Sequence, residues 1–545
     1  MSLNASMQIA VNGLNVFRSA TAVVSQNIAN VSTPGYTRQK AIIETAPTTN
    51  LSGFTLGSGA MISSVERFHD ALMQQQMANS ETTLGYDTAK SMVLQQIEPA
   101  FNDIGTDGVG ASLAHFFAAW QDLTNNPGGI AERQSVLSNA QILADDLHAA
   151  SKTLTDMISL QNDSLAPVID DINIKLKEIA RLNQQVTITE MVSGNANEVK
   201  DKRDLLLLQL AKQIGITSTE NSDGTVDVKL VGGGEALVTG TNAGTFSLDK
   251  TTDPKSYKVQ LIPAKGTVAS IVNPTLSTGS LGAALALRDT IIPDYLTQLG
   301  DLATTMATEI NTLHAAGYDL NKGTLKDFFS PIPRTGVLDG STNTVSSVDV
   351  TGLWVGMKVT SGTDIPDGTV IGTITPNPSG TTGSFTLINA ATGLPFTPPA
   401  SPVGGTTALT FPNGSAAALF SINPSMTTYT VAASSQSSNA GDNLNAVAIA
   451  GLATKRLMSN ETLTFSGYWN ALISKMGLDV NSSKTNVAQD EAFNNQLSVL
   501  KDSTAGVSLD QELSDMMMYQ RSYQACAQVI STAAAMMDMV LEIVR

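Results

Sequence analysis

Apolar residues recur at alternating four- and three-residue steps from the first turn of the chain: Leu3, Met7, Ala10, Leu14, Phe17, Val24, Ile28 and Val31, with Thr21 the one polar member of the row. That period predicts a helix carrying a heptad seam. Pro34-Gly35 stops it, because proline has no amide hydrogen for the next helical bond and glycine accepts a turn, so the helix should end near Asn30. At the other end the same count gives Leu509, Leu513, Met516, Tyr523, Ala527, Ile530, Ala534, Met537, Leu541 and Val544, with Gln520 polar. Ser508 and Gln511 read as a capping box ahead of this run. The 38 residues from Ser508 to Arg545 make a rod of about 56 Å at 1.5 Å per residue. A rod of that length cannot bury itself.

The faces away from the seam carry almost no charge. Residues 1–30 contain Arg18 as their single charged residue, against twelve Ser, Thr, Asn and Gln. A solvated helix face normally carries Lys and Glu, which are cheap in water and costly when buried. Small neutral polar groups can be enclosed and hydrogen-bonded, so this helix reads as one contacted on several sides. Residues 1–40 hold Arg18, Arg38 and Lys40 with no acid, whereas residues 508–545 hold five acids and two arginines, +3 against −3. The two ends of the chain are therefore suited to pair.

Between them the pattern is helical over about Val65–Gln96 and Ala111–Leu123, the latter with Leu113, Phe116, Phe117, Trp120 and Leu123 on one side. Val136, Ala140, Leu143, Leu147, Ala150, Leu154 and Met157 continue a heptad, which Val168, Ile172, Leu176 and Ile179 extend beyond a kink or break expected at Pro167. Residues 281–316 and 441–475 rejoin this bundle. Near Ile214 the period becomes two: Val226, Val228 and Leu230 alternate with polar residues after an Asp223-Gly224 turn, and Tyr257, Val259 and Leu261 repeat it. A second insert, residues 335–435, draws 54 of its 101 residues from Thr, Gly, Ser and Pro. Its short strands suggest a small β-sandwich-like module, with Trp354, Val359, Ile371 and Phe385 as core anchors, and its low hydrophobicity makes disorder the rival reading.

The fold class expected is multi-domain α plus β: terminal heptad helices and a helical bundle core with two inserted antiparallel β domains. The divisions are 1–35 with 506–545 as a terminal coiled coil, 36–212 with 276–330 and 436–505 as a mainly helical scaffold, 213–275 as a β insert, and 331–435 as an outer β insert.

Composition narrows the chemistry. Over 545 residues, 31 basic and 48 acidic side chains leave a net charge of −17, which argues against an extended nucleic-acid or anionic-lipid footprint. One cysteine, Cys526, excludes an intrachain disulfide framework and a multi-cysteine zinc site. No apolar run reaches the roughly 18 residues of a spanning helix, and the N-terminus lacks the features of a secretory signal peptide. His69, His115, His148 and His314 show no paired-ligand spacing, the glycines at 105, 108 and 110 lack a phosphate-binding pattern, and no G-x-S-x-G elbow occurs. No catalytic residue, metal or cofactor is expected. Methionines 516, 517, 518, 536, 537 and 539 crowd the last helix; core filling is the default reading, and flexible thioethers also suit a helix that packs against unlike partners in turn.

The terminal stretches Asn27-Ile28-Ala29-Asn30-Val31-Ser32-Thr33-Pro34-Gly35-Tyr36-Thr37-Arg38-Gln39 and Tyr519-Gln520-Arg521-Ser522-Tyr523-Gln524-Ala525 resemble those of the bacterial flagellar axial proteins, the rod, hook and hook-associated group. Within that stretch Asn30, Thr33, Pro34, Gly35 and Tyr36 form the family motif. Interior segments, Phe116-Phe117-Ala118-Ala119-Trp120-Gln121-Asp122-Leu123, Gly317-Tyr318-Asp319-Leu320-Asn321 and Thr464-Phe465-Ser466-Gly467 among them, are similar to the hook-associated protein 1 branch. The resemblance implies a structural ring subunit between hook and filament, made by self-association and touching hook protein and the next hook-associated protein. It also implies export through the flagellar type III channel to the extracellular organelle, a cytosolic export chaperone on the C-terminal helix, and no membrane insertion. The terminal seams would be the assembly interface, ordered only once assembled. Rival readings are another axial protein (hook, distal rod or flagellin), an exported enzyme using the same terminal signals, or a surface-binding module in residues 335–435.

Overall fold

In the computed structural model the described residues are 3–51, 54–101, 108–250, 256–273, 275–330, 334–338, 342–350, 359, 365, 369–376, 382–389, 394–396, 406–409, 413–437, 439 and 441–544. The first helix, α1 (Leu3–Ala29), ends where the proline-glycine stop placed it. A hairpin missed by the periodicity follows: β1 (Gln39–Thr45) pairs antiparallel with β4 (Ala60–Arg67), with the short pair β2 (Thr49–Leu51) and β3 (Phe54–Leu56) at its tip. Val65–Arg67, expected as helix, is therefore strand. The helix α2 (Ala71–Ile97) starts only after Asp70, whose carboxylate accepts from the amides of Leu72 and Met73 at 2.8 and 3.2 Å.

Then come α3 (Val109–Asn125) and α4 (Ile130–Ser193), a helix of 64 residues that runs unbroken through Pro167. The expected break is absent because Pro167 sits on the solvent face, where its missing amide hydrogen costs least, while Leu165, Ile169 and Ile172 hold the opposite face in the core. The first half of α4 packs through Val136, Ala140, Leu143, Leu147 and Leu154 against α3, where Phe116, Trp120 and Leu123 are fully enclosed. Into the same core come α7 (Ile292–Ala316, reached from α6, Gly279–Ala286, through a π-helical turn), α8 (Asn413–Leu419), α9 (Leu444–Gly451) and the start of α10 (Phe465–Ala505).

The second half of α4, with α5 (Asn197–Gln213) and α6, covers the first β insert. This comprises a sheet β5–β6–β7–β8 (Ile216–Glu220, Val226–Leu230, Ala236–Thr239, Asn242–Ala243) and a sheet β11–β10–β9 (Thr245–Asp249, Lys258–Ile262 and Ser270–Ile271 for β9 to β11). Val226, Val228 and Leu230 all point into the core, as do Val259 and Leu261, so the period-two reading holds residue by residue.

Among its described residues the second insert shows one sheet rather than the two of a sandwich. Its described strands β12 to β16 (Arg334–Leu338, Thr344–Asp349, Thr369–Pro376, Thr382–Asn389, Thr406–Leu409) form one five-stranded antiparallel sheet, ordered 14-15-13-12-16. A second sheet is unnecessary because the inward face, with Val345, Val359, Ile371, Phe385 and Leu387, is continuous with the helical core. Trp354 and Gly105 lie outside the described residues. From Asn413 onward the chain is already back in the scaffold, where the Phe420 ring meets that of Phe329 at 4.2 Å.

Candidate assembly interface at the paired termini

The last helix, α11 (Leu509–Val544), runs antiparallel to α1, so the two ends of the chain meet. Three contacts set the alignment. A methyl group on Gly13 would come within 2.8 Å of Cys526 Sγ, so glycine is what lets the helices approach there. Phe17 stacks on Tyr519 with centroids 6.3 Å apart, and Asn27 reaches Glu512.

On α1, Ala10 and Val24 are buried as the seam predicts, with Val16, Ala20 and Asn27; Met7, Leu14, Phe17 and Ile28 are half-buried. On α11 the row facing α1 is displaced by about one residue from the counted heptad. Glu512 and Ala533 are buried, and Asp515, Met516, Tyr519, Ser522, Cys526, Ile530 and Met537 are half-buried. Leu509, Leu513 and Tyr523, at 46, 49 and 41% exposure, face solvent, as do Ala527 and Ala534. The physical reason is that Arg38 and Asn27 draw Glu512 inward and Gly13 admits Cys526, which rotates the counted apolar row off α1. Met517, Met518, Val529, Met536 and Met539 are exposed too. One neighbour therefore leaves most of the apolar surface of α11 uncovered. The side chains of Leu3, Leu541 and Val544 lie outside the described residues.

At the base of the pair, residues of the terminal motif close a polar knot. The buried Asn27 side chain donates to Gln39 O at 2.8 Å and to Glu512 Oε2 at 2.9 Å, while its Oδ1 accepts from the Gln39 amide and from the Tyr36 hydroxyl. Arg38 Nε meets Glu512 Oε1 at 2.5 Å and its Nη2 meets Asp515 at 3.3 Å, and the Arg38 amide bonds Ala505 O just ahead of α11. The +3 against −3 complementarity of the two ends is thus concentrated at one arginine and two acids. Burial, with Asp201, Glu198 and Glu512 close by, pushes the Tyr36 phenol well above its usual range, so it stays a donor.

The same turn is anchored to the body. Thr37 donates its amide (2.9 Å) and hydroxyl (2.6 Å) to Asp201 on α5, and Arg67 Nη1 bridges Asp201 and Asp204 at 3.0 and 2.6 Å. Gly35 has φ +80 and lies against Leu205, so both the left-handed backbone and the space exclude a side chain. Asn30 Oδ1 accepts from Thr33 Oγ1 at 3.1 Å, and Pro34 is exposed on the outside of the turn. Of the knot, Asn27, Arg38, Gln39 and Glu512 lie outside the heptad seam, although Asn27, Arg38 and Gln39 belong to the family-like terminal stretch and Arg38 and Glu512 to the charges counted at the two ends. The signals were a neutral polar residue one step from the seam and the acids in the first turn of the last helix.

Among the described residues no group of three or more His, Cys, Asp or Glu is placed to hold a metal ion, and no helix is long and apolar enough to cross a membrane.

Known proteins match this arrangement piece by piece. The flagellar hook-associated protein FlgK helical domain family matches residues 94–329, the flagella basal body rod protein family residues 7–37, and the flagellar basal body rod FlgEFG protein C-terminal family residues 502–543. Flagellar hook-associated protein 1 of Escherichia coli K12 is 27% identical over 98% of each chain, that of Salmonella typhimurium LT2 29% over 98% of this chain and 99% of its own, and that of Bacillus subtilis 23% over 98 and 97%. The solved structure of the flagellar hook junction protein FlgK from Burkholderia pseudomallei shares the fold, with TM-score 0.59 at 20% identity over 80% of this chain and all of that one. With rod-family sequences at both ends, the helical domain between them and end-to-end likeness to these relatives, the chain carries the signature and the fold of flagellar hook-associated protein 1.

Proposed function

We propose that this chain is a structural, non-enzymatic subunit of the bacterial flagellum at the junction between hook and filament. The observation that carries this is the terminal pair: two helices from opposite ends of the chain, clamped at Glu512, that leave Leu509, Leu513, Tyr523, Met517, Met518, Met536 and Met539 uncovered. Apolar surface of this kind is worth about 25 cal/mol per Å² once buried, and a ring of identical subunits repeats the gain at every interface. The relatives named hook-associated protein 1 and hook junction protein supply the place in the organelle.

In this reading the partners are further copies of the chain on either side, hook protein below and the next hook-associated protein above. The seam residues of α1 and α11 are the assembly interface, and the motif from Asn30 to Tyr36 fixes the angle at which they leave the body. Export is through the flagellar channel, with a cytosolic chaperone covering the apolar row of α11 beforehand. The two β inserts interrupt a scaffold whose ends come together, so they project outward and set the outer diameter of the ring. Limited proteolysis of the assembled ring should then cut within 335–435 before the termini.

A chain lacking residues 508–545 tests the mechanism directly. Its body should keep its near-ultraviolet circular dichroism while the protein no longer joins hook ends seen by electron microscopy; normal assembly without α11 contradicts the proposal.

A further inference from the structure

The segment Thr430–Ser434, which links α8 to α9, is held against the scaffold chiefly through its backbone. Arg133 of α4 donates to Val431 O, and Asn445 of α9 donates to Ala432 O at 2.7 Å. Tyr318 and Ser434 exchange a pair of backbone bonds, and the Ala446 amide reaches Ala433 O at 3.0 Å. A further bond is made by His314 on α7, buried with 1% of its surface exposed between the rings of Trp120 and Phe328.

Both nitrogens of that imidazole are committed. The Ala432 amide can only donate, and it lies 2.9 Å from Nε2, so Nε2 must be the bare acceptor. Lys326 O can only accept, and it lies 2.6 Å from Nδ1, so Nδ1 carries the hydrogen. The pocket therefore specifies one neutral tautomer. A second proton at Nε2 would face the Ala432 N–H donor to donor.

The surrounding charges do not rescue an imidazolium. Arg133 on α4 and Lys326, beyond the end of α7, both disfavour it. Asp319 favours it, but Asp319 already accepts from Lys326 Nζ at 2.9 Å and from the Gly323 amide at 2.6 Å. The neighbouring elements α3 and α9 contribute Trp120 and Asn445, which carry no charge.

We infer that His314 is an acid-sensitive pin, whose protonation releases the Thr430–Ser434 strap from the helical scaffold while the paired termini stay closed. Neither α1 nor α11 contains a histidine, so the assembly surface has no counterpart to this switch. Burial first, then the two cations, lowers the His314 pKa from 6.5 to about 4. For a histidine held neutral in the fold, the contribution to stability is complete above pH 6.5 and is lost as pH falls toward 4.

Amide hydrogen exchange on the full chain between pH 7 and pH 5, corrected for intrinsic rates, tests this. Protection at Val431–Ser434 should fall roughly 20-fold, the ratio that a shift from 6.5 to about 4 gives between pH 7 and pH 5, with no matching change in α1 and α11. His314→Gln, neutral at both pH values, should flatten the dependence, whereas His148→Gln should leave it intact. A wild-type strap equally protected at both pH values overturns the inference, as does His314→Gln with the wild-type pH dependence. Should His314→Gln fail to fold, the imidazole of the wild-type chain decides, by carbon-13 resonance: no titration until the strap opens supports the pin, and titration near pH 6.5 with the strap still protected refutes it.

Discussion

The α1–α11 pair and the interior bundle around α3, α4 and α7 are both heptad-patterned helices, yet they are packed to opposite ends. In the bundle the predicted apolar positions Val136, Ala140, Leu143, Leu147 and Leu154 are all at 0% exposure, closed on every side by rings such as Phe116, Trp120, Phe328 and Phe329. In the terminal pair Leu509, Leu513 and Tyr523 remain more than 40% exposed, and the fully enclosed contact is polar, Asn27 with Glu512. A heptad says that a helix has a sticky stripe. It does not say whether the same chain or a neighbouring copy covers it.

Breaking the bundle should have the largest effect. Trp120→Ala removes a fully buried ring within 5.6 Å of Phe328 and 6.4 Å of Phe116 and should cost about 3–5 kcal/mol, seen as a lower urea midpoint for the whole body. An unchanged midpoint would mean that the interior is not the rigid half of the comparison.

Next in size is Glu512→Ala. It leaves the Asn27 amide and Arg38 facing a gap, with Asp515 as the remaining acid. Losing one partner of a buried charge pair costs roughly 3–5 kcal/mol, and the lower end applies because Arg38 is partly exposed. The loss should fall on hydrogen-exchange protection of α1 and α11 while the body midpoint stays put. Equal loss in both regions would show that the termini and the body unfold as one unit.

Smallest in the monomer is the double change Leu513→Asp with Tyr523→Asp. Both side chains are solvated here, so stability should move by no more than about 0.5 kcal/mol per site. Incorporation into the hook–filament junction should nonetheless be abolished, and wild-type incorporation would remove these residues from the interface.

The interior was legible because burial there follows one period over many turns: every apolar residue counted on α3, and most of those on α4, is in the core. Alternation was equally readable at Val226, Val228 and Leu230. The β1–β4 hairpin escaped because it lies between two strong helical signals, and its strands are covered by α1 rather than by a core of their own; Asn12 of α1 donates to Ser58 O, just ahead of β4, at 2.9 Å. Pro167 misled for the converse reason. A local rule about one missing hydrogen bond is outweighed by the aliphatic contacts that keep the helix unbroken through it.

The sequence by itself determined where the terminal helices and most of the scaffold helices lie, that the two chain ends carry net charges of opposite sign, and which family they resemble, since these depend on period, composition and local stops. Tertiary structure alone decided which face of α11 meets α1, that Glu512 rather than a leucine sits at the centre of the clamp, and that His314 is locked in one tautomer. Those outcomes turn on distances between residues hundreds of positions apart, where a glycine's missing methyl or a carboxylate's orientation outweighs a pattern that several faces of the same helix satisfy nearly equally.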